Sequence, residues 1–413
     1  MRILASWDNP SQIELLKMYL CVGDNALAVT ASTEQFQMLL SSSQKFDVIL
    51  MASSHPDHDT AFELFEQVLE KRPQCPVVAA CLQSEVYRIA RFMTAGLRSY
   101  VIRDDNCDFL FLVLAILEAA VKQVETERER LISAQLRKEV QSVRELQESI
   151  LSKNIQTPAG FKIVAKYESS QIRVLGSKPV TMAGGDYYEA FTLPDHRIVL
   201  LVGDASGHGM KACMSIFTMH TLIRMIRFDE YMDAAKLVQH INEHLCKQSV
   251  VSGEGGFITM LYGVFDPKTR ELLWASAGHQ MPILHNLETG EIGEIANAED
   301  SSGLPIGLFE LGGYVNNRTI IPPNSRLLLY TDGLIEAFPG NSRGDHAEFG
   351  ISGLQQTMRD TRTKPAQECL DRLFADSFAF TQGSGRHDDT SVLLLESESS
   401  AASQKTDRHQ IAD

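Results

Sequence analysis

Apolar and polar positions follow three regimes along the chain. From residue 1 to about 118, short apolar runs alternate with stretches in which apolar residues return every three or four positions. The runs Ile3-Leu4-Ala5-Ser6, Phe46-Asp47-Val48-Ile49-Leu50-Met51, Pro76-Val77-Val78-Ala79-Ala80 and Ser99-Tyr100-Val101-Ile102 predict strands buried on both faces. Ser11 to Leu20 and Thr60 to Leu69 predict helices between them. Strand–helix alternation of this kind implies a doubly wound α/β sheet over residues 1–118.

From about 108 to 153 no proline or glycine interrupts the chain. Val121, Val124, Leu131, Leu136, Val140, Val143, Leu146 and Ile150 form a narrow seam at spacings of three and four, broken between Leu131 and Leu136. An isolated helix with so little apolar surface is marginal. The expectation is a helical coiled-coil linker over 119–157, paired with a second copy in a parallel homodimer. The alternative is a solvated helix leaning on its own domain.

Residues 158–396 change register again, into many short β runs separated by turns. They include Tyr187 to Leu193, Arg197 to Val202, Ile258 to Phe265, Glu271 to Ser276, Ile283 to Leu287, Ser325 to Tyr330 and Ser391 to Leu395. Two helical stretches, Met210 to Arg227 and Asp233 to Val250, interrupt them, which implies antiparallel sheets sandwiched with helices. The expected whole is a multidomain chain, α/β followed by α+β. After Glu396, residues 397–413 carry no core residues and are expected to be a disordered tail.

Four aspartates fall at the ends of these β runs: Asp186 after Gly184-Gly185, Asp204 after Gly203, Asp332 before Gly333, and Asp388 before Asp389-Thr390. Pro194-Asp195-His196 reads as a hairpin turn. Asp186 and Asp204 each lie nine residues from Asp195, so the hairpin would set them side by side. Opposed like charges are unfavourable in a strand pair unless a cation lies between them. Carboxylates are hard oxygen ligands suited to Mg²⁺ or Mn²⁺, and a carbonyl such as that of Ala205 adds another oxygen. A lone Asp-Gly is more often a turn, but four on strand ends in one domain are not readily coincidental.

Composition adds boundaries. In 413 residues, 44% are hydrophobic and 22% charged, the balance of a globular protein. A net charge of −15 disfavours nucleic acid and anionic membrane surfaces. Seven scattered cysteines without a Cys-x-x-Cys pair suit reduced thiols. The run Phe109 to Ala120 is too short to span a bilayer, and the amino terminus lacks a signal-like apolar stretch. These features predict a cytoplasmic protein.

Two resemblances follow. Residues 1–118 resemble the response-regulator receiver family, whose phosphorylated Asp follows its third strand. Here Ala52 occupies that position, so there is no phosphoacceptor. Trp7 replaces one of the paired acids and Asp8 keeps the other, while Cys81 and Arg103 stand at the hydroxyl and lysine positions. Asp57 and Asp59 lie in the following loop and read as turn residues. This implies a degenerate receiver used for docking a regulatory protein.

The third segment resembles the PPM family of metal-dependent serine/threonine phosphatases, in its SpoIIE-type branch. The motifs are Ala183-Gly184-Gly185-Asp186-Tyr187-Tyr188, Gly203-Asp204-Ala205-Ser206-Gly207-His208-Gly209, Ala277-Gly278-His279-Gln280-Met281-Pro282, Leu304-Pro305-Ile306-Gly307-Leu308, Tyr330-Thr331-Asp332-Gly333-Leu334-Ile335-Glu336 and Asp388-Asp389-Thr390. Leu146-Gln147-Glu148-Ser149-Ile150-Leu151 looks like the helix that precedes such domains. The resemblance implies two Mn²⁺ or Mg²⁺ ions, with Asp204 bridging them, Asp186 on the first, Asp332 and Asp388 on the second, and the Ala205 carbonyl assisting. Asp389 would support them from behind, and Glu189 stands where the family commonly has a second Asp. His208 is a candidate proton donor or a structural turn residue, Ser206 stands where another branch has a catalytic histidine, and His279 would orient a loop. Gln171 to Thr181 looks longer than in the family and has no assigned role. The implied substrate is a phosphorylated anti-sigma-factor antagonist in a partner-switching pathway. The alternatives are a non-catalytic adaptor of phosphatase-like fold and, from Gly184-Gly185-Asp186, a diguanylate cyclase, which leaves the later aspartates unexplained.

Overall fold

The computed structural model describes residues 1–104, 106–152, 155–172, 180–181, 183–207, 209–227, 231–248, 256–339, 348–383, 385–386 and 388–398. It divides into two compact units, Met1–Arg137 and Lys138–Asp413.

The first unit alternates β1 (Arg2–Ser6), α1 (Pro10–Leu20), β2 (Ala26–Thr30), α2 (Thr33–Ser41), β3 (Val48–Ala52), α3 (His58–Lys71), β4 (Val77–Leu82), α4 (Ile89–Thr94) and β5 (Ser99–Arg103). All pairings are parallel, in the order β2-β1-β3-β4-β5. Period-two alternation sends Ile3, Ala5, Val48 and Leu50 into one core, while Leu4, Ile49, Met51 and Ala79 enter the other. A sheet buried on both faces explains its near-continuous apolar strands. The sequence expectation omitted β2, whose strand is only half buried and therefore less apolar in pattern. Asp57 caps α3, accepting from the Asp59 and Thr60 amides, and Asp59 pairs with Arg91.

A continuous helix, α5 (Leu110–Ile150), follows. Leu110, Val113, Leu117 and Ala120 pack into the first unit's core. Leu131, Ile132 and Leu136 are more than half exposed.

The second unit contains β6 (Phe161–Glu168), the short pair β7 (Gln171–Ile172) and β8 (Val180–Thr181), β9 (Asp186–Thr192), β10 (Ile198–Ala205), α6 (Met210–Met225), α7 (Ala234–Leu245), β11 (Ile258–Asp266) and β12 (Glu271–Ala277). It continues with β13 (Ile283–Asn286), β14 (Ile292–Glu294), one-turn α8 (Ala298–Ser301), β15 (Ser302–Gly303), β16 (Asn317–Ile320), β17 (Ser325–Tyr330), α9 (Gly350–Asp360), α10 (Ala366–Phe380) and β18 (Thr390–Ser397). One sheet runs β15-β12-β11-β10-β9 with β16 beside β12; the other runs β14-β13-β17-β18-β6. Leu327, Leu329, Leu393 and Leu395 meet the first sheet, while Leu328, Tyr330, Val392 and Leu394 turn outward to α9 and α10. The first sheet packs α6 and α7 through Ile216, Met219, Val238 and Ile241. Two sheets, antiparallel except for the short parallel pairing of β15 with β12, thus face each other inside two helical layers.

Three expectations need correction. The expected disordered tail, 397–413, begins inside a strand: β18 runs past Leu395 through buried Ser397, which pairs with Phe161; the remaining tail, 399–413, lies outside the described residues. Beyond the two expected helices, α9 and α10 also form, with Cys369, Leu370, Leu373 and Phe374 buried at a helical spacing. Edge strand β6 is also absent from the expected β runs, because its outer half, Ala165 to Glu168, is only partly buried and less apolar in pattern. Most of Gln171 to Thr181 lies outside the described residues. No helix among the described residues is long and apolar enough to cross a membrane.

Candidate metal centre

The hairpin of β9 and β10 closes on Leu193 and Arg197, with His196 in the left-handed region at φ 72°. Its register runs from Thr192 opposite Ile198 to Asp186 opposite Asp204, as expected from the turn. Alternation turns Asp186 toward the second sheet, where it is buried at 1% exposure.

The second sheet meets it there. β17 ends at Tyr330, and the hydroxyl of buried Thr331 donates to Asp186 Oδ2 at 2.6 Å while accepting from the Ser391 amide at 2.9 Å. Asp332 opens a 3₁₀ turn, and its Oδ1 is buried without a hydrogen-bond donor among the described residues. Asp388 accepts from the Asp389 amide at 2.8 Å, just before β18. Asp389 is itself buried; it accepts from the Ser170 and Gly185 amides, both at 2.8 Å. His279 spans the two sheets, accepting from the Thr259 hydroxyl at 2.9 Å and donating through Nε2 to the Tyr330 carbonyl at 3.1 Å, one residue before Thr331. Burial pushes its pKa down to about 4, which keeps the ring neutral and suits this donor–acceptor pattern.

Close backbone approach makes the convergence possible. A side chain at Gly185 would put its Cβ 2.5 Å from the Ala205 carbonyl oxygen and 3.2 Å from Asp204 Oδ1. At Gly333 the Cβ would fall 1.9 Å from the Asp389 carbonyl oxygen. Neither glycine needs a positive φ; both need the absent side chain.

Electrostatically the four acids are ill at ease. Burial raises Asp186 well above the ordinary carboxylate range, and the charges of Asp204 and Asp389 add to it. Burial, then Asp332, Asp388 and Asp389, push Asp204 up to about 8. Asp388 is raised to about 7, chiefly by burial, and Asp332 is raised by burial as well. Among the described residues, no three His, Cys, Asp or Glu side chains are already closed into a ligand cage. Asp186 and Asp204 nonetheless lie within hydrogen-bonding reach of each other, which holds down part of the rise at Asp204. The donor set is all oxygen, mutually repelling and includes an orphaned buried carboxylate oxygen. That suits a hard divalent cation and no soft one.

Other candidates fall elsewhere. Glu189 does not reach the aspartates: three positions from Asp186, it faces the opposite side of β9. There its carboxylate accepts from Tyr187 and pairs with Arg224 of α6, and His220 bonds Tyr187 from the same helix. Ser206 ties its loop to Phe257 through both its amide and its hydroxyl. His208 lies outside the described residues. Sequence reasoning missed Thr331 as a side-chain partner, because only the meeting of two sheets brings it to Asp186.

In the first unit, Ala52 and Cys81 are buried at the carboxyl ends of β3 and β4. Arg103 reaches back from β5 to Asp8 at 2.8 Å and Gln12 at 3.0 Å, with its guanidinium 4.6 Å from the Trp7 ring centroid. An internal cation thus neutralises the remaining acid at this sheet edge.

Residues 194–398 match the family model of stage II sporulation protein E (SpoIIE). The chain is 24% identical over 283 residues to protein IcfG of Synechocystis sp., covering 63% of this chain and 41% of that protein. It is 23% identical over 198 residues to phosphoserine phosphatase RsbP of Bacillus subtilis, covering 45% and 48% respectively. The chain therefore spans less than half the length of either curated relative. The solved SiaA-PP2C domain of Pseudomonas aeruginosa is similar at 18% identity and a TM-score of 0.49, over 65% of this chain and 98% of that one. Residues 194–398, which hold Asp204, Asp332 and Asp388, thus form a domain of the SpoIIE type.

Proposed function

We propose that this chain is a protein serine/threonine phosphatase that uses two Mn²⁺ or Mg²⁺ ions. The observation that carries the reading is the opposition of Asp186 and Asp204 at one strand edge, with Asp332 and Asp388 close enough to raise Asp204. Asp186, Asp204, Asp332, Asp388 and the Ala205 carbonyl would hold the ions. When bound, such a pair supplies an activated water and neutralises phosphate charge.

The chain's own residues prepare the site. Thr331 fixes the rotamer of Asp186, and Asp389 restrains the Gly185 amide beside it. The four carboxylates must shed their protons before cations enter, and without cations they repel a phosphate dianion. None of the described cysteines stands in a phosphate-cradling loop, which suits attack by water.

The substrate we favour is a phosphorylated anti-sigma-factor antagonist in a partner-switching pathway, a reading supported by the family and by the relative named phosphoserine phosphatase. The first unit would dock a regulatory protein without being phosphorylated, since Ala52 offers no acceptor and Arg103 occupies Asp8. The exposed seam of α5 would pair two copies of the chain.

The test is Mn²⁺-dependent hydrolysis of para-nitrophenyl phosphate and of a phosphoserine peptide. The wild-type chain should turn over both and Asp204→Ala neither. Undiminished hydrolysis by Asp204→Ala sinks the assignment.

A further inference from the structure

The end of α5 carries one fully buried polar side chain, Gln147. Its neighbours Ile150 and Leu151 pack into the apolar core. An amide buried at that depth costs about 1–3 kcal/mol when left unbonded. Gln147 is fully engaged: Oε1 accepts from the Gly184 amide at 2.8 Å, and Nε2 donates to the carbonyls of Gly184 and Asp186, both at 3.2 Å.

All three partners are main-chain groups of the segment that delivers Asp186. The next amide along, Gly185, is held by Asp389, and the Gly185 carbonyl accepts from Ala205. This loop therefore takes its position from three distant residues, two of which belong to the acid-bearing strand ends. Gln147 is the third, and it comes from a helix.

We propose that Gln147 is a positioning residue for the cation site. It touches neither metal nor substrate; it sets where Asp186 stands by bonding the backbone on both sides of Gly185. The inference rests on the reading of the aspartates as metal ligands. The chemistry is specific to an amide, which alone offers one acceptor and two donors in this space. Glutamate would keep the acceptor but set a carboxylate against two carbonyl oxygens. Leucine would keep the volume and lose every bond.

The experiment uses the full-length chain, with Mn²⁺ uptake read by calorimetry and thermal unfolding recorded in EDTA. Gln147→Glu and Gln147→Leu should each weaken Mn²⁺ binding by about tenfold to a hundredfold, the range typical of residues that orient a metal ligand. The Mn²⁺ concentration for half-maximal para-nitrophenyl phosphate hydrolysis should rise in parallel, with turnover at saturating Mn²⁺ largely kept. Leu151→Ala, a cavity one residue past the end of α5, should lower the melting temperature and leave Mn²⁺ affinity at the wild-type value. The proposal is overturned if both Gln147 variants bind Mn²⁺ like wild type, or if Leu151→Ala weakens binding as much as they do. A wild-type protein that takes up no Mn²⁺ overturns the metal reading itself, and this inference with it.

Discussion

Asp186 and Asp204 stand directly opposite each other across the β9–β10 ladder, two carboxylates where a strand pair ordinarily avoids like charge. The metal-free fold accommodates them by holding protons. Asp204 is raised to about 8 and Asp388 to about 7, above the ordinary carboxylate value, so the folded chain binds protons that the unfolded chain releases. Their contribution to stability is full below about pH 4 and is lost as pH rises toward about 8. In EDTA the melting temperature should therefore fall between about pH 5 and about pH 8. Asp204→Asn should flatten that fall, raise the melting temperature at the alkaline end and abolish stabilisation by Mn²⁺. A melting temperature in EDTA that rises over the same range contradicts the burial of these acids.

Gly333 tests close packing in place of charge. Its missing Cβ leaves room for the Asp389 carbonyl, 1.9 Å from where that atom would sit, and the obstacle is backbone with no rotamer to escape into. Gly333→Ala must push β17 and β18 apart just where Asp332 and Asp388 emerge. A cost of about 3 kcal/mol or more is expected from overpacking of this severity. Urea unfolding measures it, and a loss below about 1 kcal/mol would mean the strand ends are not so constrained.

Much of this was legible in the sequence. The Asp186–Asp204 pairing follows from a two-fold side-chain period and a turn centred near Asp195, both local properties. The parallel sheet of the first unit was legible because strands buried on both faces read as unbroken apolar runs. Thr331 and Gln147 were not legible as partners, since they meet Asp186 and Gly184 across separations of 145 and 37 residues. Glu189 stands where the family commonly has a second Asp, and the pleat sends it to the other face of β9, toward Tyr187 and Arg224.

His279 gives a pH dependence of its own. Its pKa falls from the ordinary histidine value to about 4, so between about pH 4 and 6.5 the unfolded chain binds more protons and stability is lost on acidification. Replacing it with leucine strands the Thr259 hydroxyl and Tyr330 carbonyl, at about 1–3 kcal/mol. The same change removes the acid-sensitive contribution, on the order of 2 kcal/mol at about pH 5. The penalty for His279→Leu in urea unfolding should therefore shrink from pH 7 to pH 5. A penalty independent of pH would show that the ring is not held neutral.

The seam on α5 makes a prediction about assembly. Leu131, Ile132 and Leu136 are 62%, 51% and 61% exposed on a helix stretch with no covering layer in a single copy. A solvated stretch of this length has little to hold it helical beyond its own propensity, whereas a second copy would bury the seam. Sedimentation of the full chain should report a dimer. Leu131→Glu combined with Leu136→Glu should convert it to a monomer, since charges would then face each other across the shared seam. The two compact units should melt as before, because neither core contains these residues. A wild-type chain that stays monomeric at all concentrations tested would remove pairing as the reason for this seam, leaving the helix to stand on its charged i,i+4 neighbours alone.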